Sequence, residues 1–493
     1  MALATRPDAL PDYVQRLFEP GGALPDHRQL YLILQRGIRE SVLMPGTRLP
    51  PTRSLAQTLG IARNTIVHVY EQLALEGYVQ AGVGRGTYVS TVGPRLVDRS
   101  VRLTSLAMRR SRLSRRGERT LAESGMGRVQ WGAFVPGVPE VRHFPREVWS
   151  RLQARVARHA TPQQLTYATG HGDPGLCEAL AEYLQGTRGV VCSAEQVVIT
   201  SGTQQSLYLI SQLLSDVGDS VWLEDPGWWG ARSMFRAGGL NLKPVPVDDE
   251  GMAPTADLLK EPPRLMFVSP SHQQPTGAVM SHGRRQQLLE YAAAHRIWMI
   301  EDDYDSEFRY GARPLPALQG LDQHGRVIYL GTFSKTLFPS LRIAYLVLPT
   351  DLVESFSRAL SELFHEGQTL QQAVLARFMS EGHYATHIRR MRGVYASRHD
   401  TLVQCIREHF AMELPVIGGD AGLHLVLGLP QDIDDRRVVE KAFHAGIVTR
   451  PLSMYHLRPT RSDKGLLLGY GATPEDEIRK SFDVLAKVIK RFL

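Results

Sequence analysis

Cysteine is scarce: Cys177, Cys192 and Cys405 are the only three in 493 residues. An odd trio at these spacings suits neither a disulfide framework nor a metal-ligand set, so the thiols read as reduced and structural, and no metal is expected. Long apolar runs are missing too. Nothing reaches the roughly 18 to 20 residues that crossing a bilayer takes, and the opening "MALATRPDALPDYVQRLFEP" lacks the apolar stretch of an export signal. The expectation is a cytoplasmic protein. Excess of one charge is modest, net +7, which admits a polyanionic partner without requiring one. What is present in ordinary amount, 43% hydrophobic and 22% charged residues, excludes a disordered or fibrous chain. The length predicts two or more domains and room for a buried cofactor site.

The positive charge is concentrated in "RLVDRSVRLTSLAMRRSRLSRRGERT". Here Arg95, Arg99, Arg102, Arg109, Arg110, Arg112, Arg115, Arg116 and Arg119 face few acids, and no apolar period is sustained. This reads as a solvated connector; the alternative is a segment that adds salt-dependent affinity for DNA.

Before it, Leu30, Ile33, Leu34 and Ile38 recur at helical spacing until "MPG". A second helix is expected after Thr52, as N-cap, and ends at Gly60, a good left-handed terminator. Ile66, Val69, Tyr70 and Leu73 predict a third helix with one buried face, leaving Arg63, Asn64 and His68 on or near the other. "GYVQAGVGRGTYVS" closes the unit as two short strands around a glycine-rich tip. Helix, turn, helix and wing is a layout that reads DNA through its last helix, although small helical units of this shape also mediate protein contacts.

The stretch "PGTRLPPTRSLAQTLGIARNTIVHVYEQLALEGYV…GRGTYV" resembles the N-terminal domain of the GntR family of bacterial transcription regulators. The resemblance implies DNA contacts by Arg53, Arg63 and Thr65, with Arg85 and the Gly86 backbone at the wing tip; Asn64, on or near the third helix's open face, is a further candidate. Ala62 stands where that family often has a capping serine. Arginines at the start of such a helix can bond guanine N7 and O6 bidentately, whereas phosphate contacts supply affinity without sequence.

From about Gln130 the chain alternates helical patterns with "QVVIT", "SVWLE", "RLMFVS", "RIWMIED" and "RVIYLGT". These runs are too short for helices and apolar enough for strands buried on both faces, which predicts an α/β sheet with mostly parallel strands. Ligands of such sheets collect at the strands' carboxyl ends, and the polar clusters sit there. Gly202 and Thr203 open a helix whose free N–H groups would seat a phosphate. Asp302 ends the fourth run and Tyr304 follows it; Thr332 ends the fifth, and Ser334, Lys335 and Arg342 follow. One such lysine is ordinarily a surface cation. Together the clusters offer an amine for an imine, an anion for a protonated ring nitrogen, a phenol for a ring oxygen and donors for a phosphate, as pyridoxal 5′-phosphate requires.

The region from Gln130 onward looks like a fold-type I aminotransferase. That resemblance implies Lys335 as the Schiff-base lysine, Asp302 on the pyridine nitrogen and Tyr304 on the 3′ oxygen. Gly202, Thr203 and Gln204 match the phosphate loop, with Thr332 and Arg342 as further phosphate ligands. Trp228, in "EDPGWWG", is offered for stacking on the ring, with plain core packing as the alternative. Tyr167 matches a tyrosine reaching the phosphate across a dimer interface, so a homodimer with shared sites is implied. Gln274 stands where the family's "NPTG" asparagine touches the 3′ oxygen.

Both halves in this order are similar to the MocR-type (GabR-like) subfamily of GntR regulators. The implied division is residues 1–91 as winged helix-turn-helix, 92–129 as arginine-rich linker and 130–493 as aminotransferase-like effector domain. Transamination also needs a carboxylate-holding arginine fork. In "LLLGYGATPEDE" the expected arginine position holds Ala472, and in "WWGAR" Gly230 stands where γ-aminobutyrate-sensing regulators have arginine. Arg450 is a possible substitute or a loop arginine. The chain therefore reads as a transcription regulator sensing pyridoxal phosphate, an amino compound or both, with at most partial transamination. The alternatives are an active aminotransferase carrying a DNA-binding head, and a regulator of vitamin B6 supply for which the cofactor is the signal.

Overall fold

The apolar periods read between Leu30 and Leu73 fold as expected, around one core. The computed structural model describes residues 9–82, 86–91, 113–121, 129–167, 170–310, 316–365, 367–411, 413–419, 421–457 and 463–493. The chain divides into two compact units, Met1–Arg112 and Leu113–Leu493.

In the first unit, helices span Asp26–Arg39, Thr52–Leu59 and Arg63–Leu75. A further helix, Ala9–Leu17, was not foreseen. Ile66, Val69, Tyr70 and Leu73 bury the inner face of the third helix against Leu30, Leu34 and Leu55. Each such side chain contributes roughly 1.5–3 kcal/mol relative to exposure. The expectation for Thr52 is corrected: it is the first helical residue, Pro51 occupies the cap position, and no side chain caps this helix. Proline is tolerated in that place because its fixed φ suits the extended residue before a helix, and the first-turn N–H groups go without a side-chain cap. Gly60 ends the helix in the left-handed conformation. Ala62 caps the third helix without a side-chain hydrogen bond. Strands β1 (Val79–Gly82) and β2 (Gly86–Val89) pair antiparallel as the wing; the expected contact Arg85 lies outside the described residues.

The second unit is built on an eight-stranded sheet. Its strands are β3 (Val197–Thr200), β4 (Ser220–Asp225), β5 (Asn241–Asp248), β6 (Gly251–Met252), β7 (Leu265–Val268), β8 (Trp298–Asp303), β9 (Val327–Thr332) and β10 (Ala344–Val347), in the order β3-β10-β9-β8-β7-β4-β5-β6. The five apolar runs are five of these strands. β5, β4, β7, β8 and β9 are parallel, while β10 runs antiparallel to both its neighbours, β3 and β9. Apolar side chains pack on both faces of the sheet. A smaller antiparallel sheet of β11 (Val416–Ile417), β12 (His424–Leu429), β13 (Arg450–Pro451) and β14 (Lys464–Gly469) follows in the order β11-β12-β14-β13. Part of the segment expected as linker, Arg115–Leu121, is helical. The rest of that segment, Arg95 to Arg112 included, lies outside the described residues apart from the ends of its flanks.

The register collects the site. Ala344 pairs with both Thr200 and Thr332, and Asp302 pairs with Leu330. The carboxyl ends of β3, β8 and β9 therefore open on the same edge. Among the described residues, no helix is long and apolar enough to cross a membrane.

Candidate cofactor site and DNA-reading surface

Lys335 leaves the end of β9 by two residues of turn, and its Nζ donates to the Gly137 carbonyl at 2.7 Å. Burial lowers its pKa although Asp305 and Asp302 pull the other way; a lowered value makes the free amine, the nucleophilic form, more available. Gly137 has φ +75, and a Cβ there would lie 2.9 Å from the Lys335 amine.

Asp302, at the end of β8, is 5% exposed, and its Oδ1 is buried without a hydrogen-bond partner. Burial, then Asp303, Asp305 and Glu224, raise its pKa well above the carboxylate range. Such a group is costly unless it meets a cation or a donor. The protonated nitrogen of a pyridine ring is both. Tyr304, buried beside it, has its hydroxyl 3.0 Å from His272 Nδ1, and burial raises its pKa strongly. Glu224, at the end of β4, accepts from Ser269 N and Gln273 Nε2, and burial pushes it up to about 7.

The phosphate loop comes from the end of β3. Gly202 caps the helix Thr203–Leu214 with φ 126, a conformation that favours glycine. Thr203 and Gln204 form its first turn, half-buried. Arg342, itself left-handed at φ 54, brings its guanidinium against Gly202. Thr332 is buried at the end of β9, where its Oγ1 lies 3.1 Å from Ser334 Oγ and accepts from Ser334 N at 3.2 Å. Free helix N–H groups and a guanidinium on one glycine make an anion cradle. The orphaned carboxyl oxygen, the amine and this cradle fit pyridoxal 5′-phosphate.

Trp228 is half-buried at the start of the helix Trp229–Gly238. Its ring explains Gly230: a Cβ at 230 would lie 2.3 Å from Trp228 Cζ2, so no arginine fits there with the indole in place. Arg232, two residues on, donates to the carbonyls of Met454 and His456 at 2.8 and 3.1 Å, tying the tryptophan loop to the smaller sheet's loop. Gln274 is half-buried, and its carbonyl accepts from Gln273 Nε2. The side chain at the Tyr304 hydroxyl is that of His272, a residue the motifs did not single out. Tyr167 is 78% exposed, its ring 5.5 Å from that of His365.

Arginines from other segments reach the backbone at Ala472. Ala472 is buried, and its carbonyl accepts from Arg142, which also lies 3.4 Å from Glu140. Arg398 donates to the Gly471 carbonyl and pairs with Glu140 at 2.6 Å. Both come from distant parts of the chain, and both bond backbone carbonyls and Glu140. Arg450 is half-buried in β13, its guanidinium on the Thr449 and Val129 carbonyls.

On the first unit, Arg53, Arg63 and Asn64 are exposed and Thr65 is half-buried. Arg63 Nε lies 3.4 Å from Thr52 Oγ1, which links the starts of the second and third helices. Gly86, φ +100, lies under Arg48: a Cβ there would be 3.0 Å from Arg48 Nε.

Known proteins share this plan. Residues 26–89 match the family described as bacterial regulatory proteins, gntR family, and residues 139–465 match aminotransferase class I and II. The probable rhizopine catabolism regulatory protein MocR of Rhizobium meliloti is 41% identical over 473 residues, 94% of this chain and 93% of its own. The pyridoxine biosynthesis transcriptional regulator PdxR of Corynebacterium glutamicum is 31% identical over 92% of this chain and 93% of its own. Among solved structures, kynurenine aminotransferase of Pyrococcus horikoshii superposes with a TM-score of 0.68 at 27% identity, over 79% of this chain and 96% of its own. Head and body, in this order and over this much of the chain, make it a member of the MocR-type subfamily of gntR-family transcription regulators.

Proposed function

We propose that this regulator binds promoter DNA through its winged helix-turn-helix. Its aminotransferase-like domain binds pyridoxal 5′-phosphate on Lys335 and reports that cofactor, an amino compound, or both. The observation that carries the reading is the buried, unpartnered oxygen of Asp302 in the same site as the Lys335 amine. When bound, the cofactor supplies an electron-poor ring and an aldehyde that takes up amines. Of this chain's residues, Asp302 would keep a proton on the ring nitrogen, Tyr304 would serve the 3′ oxygen, and Trp228 would pack on the ring. Gly202, Thr203, Gln204, Thr332 and Arg342 hold the phosphate. Tyr167, exposed on one chain, suits a role across the interface of a homodimer. The cytoplasm is the compartment that suits all these parts.

A ligand changes DNA affinity only by its differential affinity for two arrangements of the dimer. Release of the Lys335 side chain when an amino compound binds would supply such a difference. Sensing is favoured over turnover because Gly230 and Ala472 leave no arginine fork, and the arginines nearest Ala472 bond backbone and Glu140. The similarity to a regulator named for rhizopine catabolism supports a small molecule other than the cofactor as signal. The second reading, in which the cofactor itself is the signal, is supported by the similarity to a regulator named for pyridoxine biosynthesis.

Titrating the full-length protein with pyridoxal phosphate, with and without candidate amines, while following operator affinity tests the proposal. Affinity that ignores both would refute sensing. Sustained conversion of an amino donor and a 2-oxo acid would establish the enzyme instead.

A further inference from the structure

One imidazole beside the site is seated with more constraint than its neighbours. His272 follows β7, is 3% exposed, and brings a single nitrogen to two groups. Its Nδ1 is 2.9 and 3.2 Å from the two carboxylate oxygens of Asp305 and 3.0 Å from the Tyr304 hydroxyl. Two left-handed glycines make room for the ring. A Cβ at Gly422, φ +78, would lie 2.2 Å from His272 Cε1 and 2.5 Å from Asp305 Oδ2; one at Gly277, φ +75, would lie 3.3 Å from Nε2. Gly422 is itself fixed, since its N–H donates to the Phe308 carbonyl and its own carbonyl accepts from Tyr310 and Tyr470.

Hydrogen-bond arithmetic decides what Nδ1 does. A bare lone pair on Nδ1 would face the lone pairs of the Asp305 carboxylate, so Nδ1 carries the hydrogen and donates. The Tyr304 oxygen, at 3.0 Å from the same nitrogen, is then on the accepting side of that N–H. Its own hydrogen is left over, and among the described residues the hydroxyl has no other hydrogen-bond partner. We infer that His272, seated by Asp305, is a positioning residue that commits the Tyr304 phenol to donating its hydrogen outward, to the 3′ oxygen of the cofactor. This rests on the pyridoxal phosphate reading above.

The consequence is measurable. A hydrogen bond donated to the 3′ oxygen disperses the negative charge that otherwise retains a proton on the neighbouring lysine-linked nitrogen. Losing the donor therefore raises the pH at which that proton leaves. The other ionisable groups around the pair are Asp302, Glu224, Tyr455, His424 and Lys335.

The test is a pH titration of the visible absorbance of full-length protein loaded with pyridoxal phosphate. His272→Phe is expected to raise the midpoint by about 1 unit, a tenfold change in the proton equilibrium. His272→Asn, whose amide N–H falls near the place of Nδ1–H, is expected to restore it, and His272→Gln is not. In a Tyr304→Phe background His272→Phe should add nothing, whereas a merely structural role would still move the midpoint. Should His272→Phe fail to fold, judged by thermal melting, the milder His272→Gln, whose amide N–H does not fall at the place of Nδ1–H, is expected to raise the midpoint in the same direction while leaving the Asp305 charge in place. An unmoved midpoint in variants that fold and show the band overturns the inference and leaves the cofactor reading standing. A wild-type protein with no band at all overturns both.

Discussion

The guanidinium of Arg342 occupies the space that any side chain at residue 202 would need: a Cβ on Gly202 would lie 2.7 Å from Arg342 Nη2. The two residues come from different strand ends, and Gly202 adds a φ of 126 that L side chains rarely adopt. Gly202→Ala is therefore expected to push Arg342 out of the cradle and to weaken pyridoxal phosphate binding at least tenfold, about 1.4 kcal/mol. Arg342→Ala should weaken it without the backbone strain. Equilibrium titration of cofactor fluorescence checks both, and wild-type affinity in Gly202→Ala would remove Arg342 from the phosphate site.

Installing the arginine that this chain lacks at 230 is expected to fail. Already a Cβ meets the Trp228 ring at 2.3 Å, so Gly230→Ala displaces the indole and Gly230→Arg displaces it further. Both variants should lose cofactor affinity and melt at lower temperature, and neither should acquire a response to amino acids that carry a carboxylate. A Gly230→Arg protein that keeps its melting temperature and gains such a response would show that Trp228 is free to move aside.

For the DNA-reading unit, Arg63→Ala is expected to cost about 1–3 kcal/mol of discrimination between operator and non-operator DNA. The dependence of affinity on salt should stay nearly as in the wild type. Neutralising arginines between Arg95 and Arg112 should do the reverse, flattening the salt slope by about 1 per lost phosphate contact with little change in sequence preference. Binding measured at several salt concentrations on both DNAs separates the two effects.

The strands were legible because a strand covered on both faces must be apolar throughout, and "RVIYLGT" or "RLMFVS" can be little else once turn residues bound it. The strand ends were legible for the same reason, since the polar residues that follow have one place to go. What was not legible depends on partners far along the chain. His272 and Asp305 follow different strands and meet only because β7 and β8 are neighbours. Arg142 and Arg398 reach the Gly471–Ala472 backbone from 330 and 73 residues away. The Thr52 cap failed on position: Pro51 is the extended residue before the helix, so Thr52 already lies one residue inside it, and its hydroxyl meets Arg63 Nε and caps no first-turn N–H.

The pair that holds the segment over Lys335 in place should also set the acid stability of the larger unit. Glu140, 1% exposed in its side chain, lies three residues beyond Gly137 and is bound by Arg398 at 2.6 Å, while its own N–H donates to Tyr395. Burial alone would raise its pKa, but the Arg398 hydrogen bond, the Arg142 N–H and both charges outweigh burial, and the net shift is downward from 4.5. A carboxyl with a depressed folded value contributes stability that is complete above its unfolded value and is lost as pH falls through the folded one. Stability from this pair is thus expected to be full above about pH 4.5 and to decline below it. Arg398→Met leaves Glu140 buried without its strongest partner and is expected to cost about 3–5 kcal/mol near neutrality. The gap from wild type should shrink as acid protonates the stranded carboxyl. Urea unfolding of the full-length protein followed by tryptophan fluorescence, from pH 7 down to pH 4, measures that gap, and a gap that stays constant with pH would show that Arg398 acts through packing and not through the charge of Glu140.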